Sequence, residues 1–182
     1  MQYGKEVAKI LVTRAEIQKR IAELADQINR DYEGKEYTLV VTLRGAVPFF
    51  ADLFCKLTGN KVDCDFIAVS SYGATTSTTG EVHMSKDLSS PIKGKHIIIV
   101  EDIIDTGITL SYLKKLFEAR EPASVKVCSL LDKPSRREVE VEGDYVGFTI
   151  PNEFVIGYGL DYDQKYRNYP DVCVLAPEVY GG

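Results

Sequence analysis

The sequence predicts an α/β fold built on a mainly parallel sheet flanked by helices. Two observations predict it. Short apolar runs of strand length alternate along the chain with longer runs whose apolar residues recur at helical spacing. The most apolar of the short runs, His96-Ile97-Ile98-Ile99-Val100, shows no polar alternation, the pattern of a strand covered on both faces. At 182 residues the chain has the length of one domain, residues 1–182, with enough core to fold without disulfides.

The elements follow in order. Thr13-Arg14-Ala15-Glu16 reads as a capping box, and Ile17, Ile21, Leu24 and Ile28 then mark one face of a helix ending near Gly34. Thr38 to Leu43 reads as a buried strand stopped by Gly45. Pro48 suits the first turn of a helix running to about Leu57. Val62 to Val69 is the next strand. From Ser70 to Gly80, nine of eleven residues are Ser, Thr or Gly, which reads as a long loop. After the His96–Val100 strand, Leu110, Leu113, Leu116 and Phe117 share a face of a helix over 109–119. Pro122 interrupts before a strand from Ser124 to Leu131, and Tyr145–Thr149 and Val172–Leu175 read as short strands.

Composition narrows the function. Lys plus Arg number 22 against 27 Asp plus Glu, a net charge of −5, which argues against a nucleic-acid coat. Cys55, Cys64, Cys128 and Cys173 form no CxxC, and neither histidine adjoins a cysteine, so a zinc site and a disulfide framework are not expected. The first residues lack a signal-peptide core, and no apolar run approaches ~18 residues. A cytoplasmic protein without a membrane segment is the expectation.

Ligands of such sheets gather at the carboxyl ends of strands. There the sequence Val100-Glu101-Asp102-Ile103-Ile104-Asp105-Thr106-Gly107-Ile108-Thr109 sets two adjacent carboxylates, a third carboxylate, and a Thr/Gly-rich start to a helix. Helix N-termini carry free N–H groups and partial positive charge, so this is a phosphate cradle. Carboxylates beside it suit a diol, Mg²⁺, or both.

This stretch resembles the phosphoribosyl-pyrophosphate (PRPP) signature of the type I phosphoribosyltransferases. The stretch Glu153-Phe154-Val155-Ile156-Gly157-Tyr158-Gly159-Leu160-Asp161-Tyr162, with Arg167, is similar to the 6-oxopurine branch of that family, the hypoxanthine–guanine phosphoribosyltransferases. The resemblance extends from the first helix to the last strand. It implies a small hood, including residues 150–182, and a flexible active-site loop over 70–88 that closes as a lid, with Ser71 and Tyr72 at its start.

It also implies roles, residue by residue. Asp105, Thr106, Gly107, Ile108 and Thr109 hold the 5-phosphate. Glu101 and Asp102 serve the ribose hydroxyls directly or through Mg²⁺, and Asp161 lies near the base edge and a second metal. Leu43-Arg44-Gly45-Ala46 resembles the pyrophosphate loop, known in this branch for a non-proline cis peptide, here expected at Leu43–Arg44; Arg44, Gly45 and Arg167 hold pyrophosphate.

Phe154 stacks on the purine, the Val155 backbone bonds its edge, and Lys133 reads a 6-oxo group against a 6-amino group. Asp105 is the candidate general base at N7. The expected substrates are PRPP with hypoxanthine or guanine, and the products IMP or GMP with pyrophosphate. A homodimer or homotetramer is implied. Arg136 and Arg137 are expected at the surface or in a subunit contact. The competing reading, a non-catalytic regulator on the same fold, calls for a basic face or an added domain that the charge balance does not suggest.

Overall fold

In the computed structural model, which describes residues 3–59, 61–71 and 82–180, the chain opens on a strand without a sequence signal. β1 (Val7–Val12) is exposed from Ala8 to Ile10 and buried only at Val12, so it lacks the alternation of a half-buried strand. Thr13 caps α1 (Arg14–Asp31) in a complete capping box. Its hydroxyl accepts the Glu16 N–H at 3.3 Å, and its own N–H donates to the Glu16 carboxylate at 2.8 Å. α1 ends before the expected Gly34 because Tyr32 already leaves helical geometry, at φ −111° and ψ 19°.

β2 (Tyr37–Leu43) is buried almost throughout, and α2 (Val47–Phe54) starts with Pro48 in its first turn. α2 stops at Phe54 instead of Leu57. β3 (Val62–Ser71) runs past Val69, and β4 (Val82–Lys86) returns antiparallel to it, with Ser71 opposite Val82. The expected loop over 70–88 is therefore strand at both ends, and Tyr72 lies outside the described residues.

β5 (His96–Ile104) runs past the expected stop at Val100. The reason is its parallel ladder with β6 (Ser124–Asp132), which continues from His96↔Ser124 through Glu101↔Ser129 to Ile104↔Asp132. Glu101 and Asp102 thus sit inside the strand, not after it. α3 (Ile108–Glu118) follows between these two strands, and β7 (Tyr145–Thr149) comes after β6.

The six strands lie in the order β4-β3-β2-β5-β6-β7, and every neighbour pair is parallel except β3 with β4. Alternate residues of the central strands meet helices on opposite faces. Leu39, Val41, Ile98 and Val100 pack with Ile17, Ile21, Leu24 and Phe49 of α1 and α2. Val40, Ile97, Ile99 and Val127 pack with Leu110, Leu113 and Phe117 of α3. Cover on both faces explains the unbroken apolar runs.

A second sheet joins β8 (Val155–Ile156) and β9 (Val172–Leu175) to β1 in the order β1-β9-β8, and α4 (Pro177–Tyr180) follows β9. Residues 150–182 supply two of its strands, but the third comes from the opposite end of the chain. No helix of the described residues is long and apolar enough to cross a membrane, and all four cysteines are free thiols.

Candidate functional site

Loops at the carboxyl ends of β2, β5 and β6 converge with the segment after β8. The cradle is built first. Gly107 caps α3 in the left-handed region at φ +84°; the Ile108 N–H is taken only by a long bond to Thr106 Oγ1 at 3.4 Å, and the next N–H groups of the first turn are open to a ligand. A Cβ at Gly107 would stand 2.5 Å from Val141 Cγ1, so only glycine fits. A cavity of about 320 Å³ opens here between Glu101–Asp102 and Gly107–Thr109, with Asp105 and Thr106 on its wall.

The segment after β6 braces this cradle from behind. Arg137 donates to the carbonyl oxygens of Ile104, at 3.1 Å, and Asp105, and to the Asp132 carboxylate. The Glu138 N–H donates to Thr106 O at 2.9 Å. Arg137 is therefore an internal staple, contrary to its expected surface role. Two of its three partners are backbone carbonyls, which no side-chain pattern announces.

In the acidic pair Glu101 is buried and Asp102 half-buried. Glu101 is 8% exposed and accepts a hydrogen bond from the Thr42 hydroxyl at 2.6 Å. Burial, reinforced by the charge of Asp102, pushes the Glu101 carboxyl up to about 8. Burial also raises Asp102 to about 6, against the Ile103 N–H at 2.7 Å and the charge of Arg167. Two neighbouring carboxylates raised in this way are a donor pair suited to a hard cation. Among the described residues no group of three or more such ligands is assembled. Mg²⁺ commonly binds through one or two carboxylates, with substrate oxygens and water completing the shell, so the pair fits it.

Around the pair lie the pyrophosphate candidates. Leu43–Arg44 is a cis peptide, as the family resemblance implies. The next residue, Gly45, touches Asp102: a Cβ on it would lie 1.5 Å from Asp102 Oδ2. Arg44 reaches Gln164 Oε1 at 3.5 Å. Arg167 pairs with Asp161 at 2.7 Å and donates to Gly159 O at 2.7 Å and Gln164 Oε1 at 3.2 Å. Asp161 also accepts the Gln164 N–H at 2.8 Å, so its carboxylate is already engaged by the Arg167 loop.

A second cavity of about 370 Å³ adjoins the first and shares Ile103 and Asp105 with it. Lys133, Phe154, Val155 and Asp161 all line it. Lys133 is 6% exposed, and burial lowers its ammonium pKa, opposed by the charges of Asp105 and Glu153. Val155 is buried at the start of β8, whereas the Phe154 ring is half-exposed and meets Tyr162 edge-on at 5.5 Å. Arg136 Nε faces Asp105 Oδ1 at 3.4 Å and borders the same cavity.

The structure thus gathers the candidate cradle, the acidic pair, Arg167 and the residues expected to hold the base at one sheet edge. Ser71 stands at the end of β3, and Tyr72 is outside the described residues. Sequence reasoning missed Ile103 and Thr42, and expected Arg136 at the surface or in a subunit contact, not facing Asp105. Ile103 is the strand residue directly after the acidic pair, and that adjacency was the available signal.

The family model for the phosphoribosyl transferase domain matches residues 8–163. Over 176 residues the chain is 48% identical to the hypoxanthine-guanine phosphoribosyltransferase of Streptococcus thermophilus, with 97% of each chain covered. Over 175 residues it is 47% identical to the bifunctional protein TilS/HprT of Listeria monocytogenes; 96% of this chain is matched, but it spans only 27% of that longer protein. The crystal structure of a hypoxanthine phosphoribosyltransferase from Staphylococcus aureus superposes with a TM-score of 0.93 at 43% identity, covering 97% of this chain and 96% of that one.

Proposed function

The chain belongs to the phosphoribosyl transferase family, and from that premise we propose that it transfers the 5-phosphoribosyl group of PRPP to N9 of hypoxanthine or guanine. The products are IMP or GMP and pyrophosphate, a purine-salvage reaction. The observation that carries this reading is the pair of adjoining cavities with a shared wall at Ile103 and Asp105. One has a phosphate cradle and paired carboxylates; the other has an aromatic ring and a buried lysine.

The 5-phosphate takes the open N–H groups at the start of α3 and the hydroxyls of Thr106 and Thr109, with Ile108 in the same turn. Glu101 and Asp102 face the ribose hydroxyls. The C1–oxygen bond to pyrophosphate breaks as the bond from C1 to N9 forms. Asp105, at the border of the two cavities, takes the purine proton at N7. Arg167 and the backbone of the Arg44–Gly45 loop hold the departing pyrophosphate, an electrostatic task for pre-placed donors.

Mg²⁺ would be held by Glu101 and Asp102, with Asp161 the candidate for a second ion, and it would supply charge neutralisation for the ribose and pyrophosphate oxygens. In the base pocket Phe154 stacks on the ring, the Val155 backbone bonds its edge, and Lys133 donates to the 6-oxo oxygen. Adenine presents a donor there instead and is rejected. The protein works as a homodimer or homotetramer in the cytoplasm, where free thiols persist.

The test is a competition. The protein is mixed with PRPP, Mg²⁺ and equal hypoxanthine, guanine, xanthine and adenine, and the nucleotides are separated by chromatography. IMP and GMP without AMP are expected, and addition of EDTA is expected to stop their formation. AMP as the main product would overturn the assignment of Lys133.

A further inference from the structure

We propose that Tyr180, in the last helix, is a positioning residue for base recognition that fixes the Phe154 ring as a wall of the base pocket. The inference rests on the base-pocket reading above. Phe154 lies between β7 and β8 in irregular backbone, and its side chain is 39% exposed. A ring on such a segment is free to change rotamer unless neighbours hold it. Tyr162 stands perpendicular to it, with centroids 5.5 Å apart and planes at 87°. Tyr180 covers a face: the two rings stack with centroids 5.1 Å apart and planes inclined by 25°.

The backbone of Phe154 is held by the same piece of chain. Its carbonyl accepts the Leu175 N–H of β9 at 2.8 Å. The chain then turns: the Ala176 N–H donates to Glu6 O at 2.8 Å, and the Val179 N–H to Ala176 O at 2.9 Å. Val179 packs on the apolar cluster of Ile156, Cys173 and Leu175, which anchors α4. The turn brings Tyr180 back over Phe154 and onto the wall of the 370 Å³ cavity that also holds Lys133 and Asp161. β9 and α4 therefore clamp Phe154 twice, at its carbonyl and at its ring. A flat base gains from stacking only against a ring already in place, since ordering the ring on binding costs affinity.

The test uses the full chain and three variants. In Tyr180→Ala and Tyr180→Leu the KM for hypoxanthine is expected to rise roughly two- to tenfold, the scale of one aromatic pair. The KM for PRPP and kcat should stay within about twofold. Tyr180→Phe keeps the ring and should match the parent. An unchanged hypoxanthine KM in the Ala and Leu variants, or an equal rise in the PRPP KM, would overturn the role of Tyr180 while leaving the pocket reading intact. A parent protein that binds PRPP but forms no IMP overturns the pocket reading itself, and this inference with it.

Discussion

Gly45 has no room for a side chain, because any Cβ would fall 1.5 Å from Asp102 Oδ2 and 2.7 Å from its Cγ. Gly45→Ala must therefore push the loop and the carboxylate apart. A displacement of about 1 Å at a positioned group can cost on the order of 10²-fold in rate, so kcat/KM for PRPP should fall by about that factor in steady-state assays. Asp105→Asn should melt like the parent but lose on the order of 10²–10⁴-fold in kcat for IMP formation. Near-parental turnover in that variant would remove the general-base role. Glu101, Asp102, Asp105 and Gly107 were legible as candidates because they fall within one seven-residue stretch and are chemically unlike a plain strand. Thr42 and Arg136 were not. Thr42 acts on Glu101 only because β2 lies beside β5, and Arg136 reads as one charge among many until the turn at Pro134–Arg136 aims it at Asp105.

Three elements meet at Asp52. It accepts hydrogen bonds from Tyr158 at 2.6 Å and Gln18 at 2.8 Å, and pairs with Arg14 at 2.8 Å, so it ties α2 to the start of α1 and to the segment after β8. Burial works against its charge, but these donors outweigh it and hold the carboxyl below its ordinary 3.8. The sign follows. Where the pKa is lower in the folded state, the unfolded chain binds more protons during the titration, and stability falls as pH drops. The contribution is present in full above the ordinary carboxylate value and is lost as pH falls through the lower folded one. Asp52→Asn should thus cost about 1–2 kcal/mol in urea unfolding at pH 7, with the gap to the parent narrowing in acid. The capping box at Thr13 and the strand Tyr145–Thr149 were legible to the residue. β1 and β4 were not, because each pairs antiparallel at one side only, and Ala8-Lys9-Ile10 is exposed without alternation. The true end of β5 was hidden for a different reason: its ladder with β6 carries the acidic pair inside the strand.

Two sheets of unequal size make up the described molecule, and they should differ in durability. The six-stranded sheet has helices on both faces, and Ile97, Ile98 and Ile99 at its centre are wholly buried. The three-stranded sheet has β1 at its edge, with Ile10 45% exposed. Local opening is expected there first, so native-state hydrogen exchange should show β5 amides protected at least about tenfold more than those of β1. Bound IMP should slow exchange in β8 and β9 and at the Glu101–Ile104 end of β5, and leave the amides of Ile97, Ile98 and Ile99 unchanged. The parallel topology was legible from the alternation of runs; the union of distant segments in the smaller sheet was not, since pairing across so long a separation leaves no local pattern. That union also sets an order in time. Val7 pairs with Leu175 and Ile10 with Cys173, so during synthesis β1 emerges well before β9 and waits for it. The cradle after β5 needs nothing beyond the β6–β7 region, and a nascent chain can close it early. The proposed purine pocket is completed only when β9 arrives, so the growing polypeptide acquires base recognition later than the phosphate cradle.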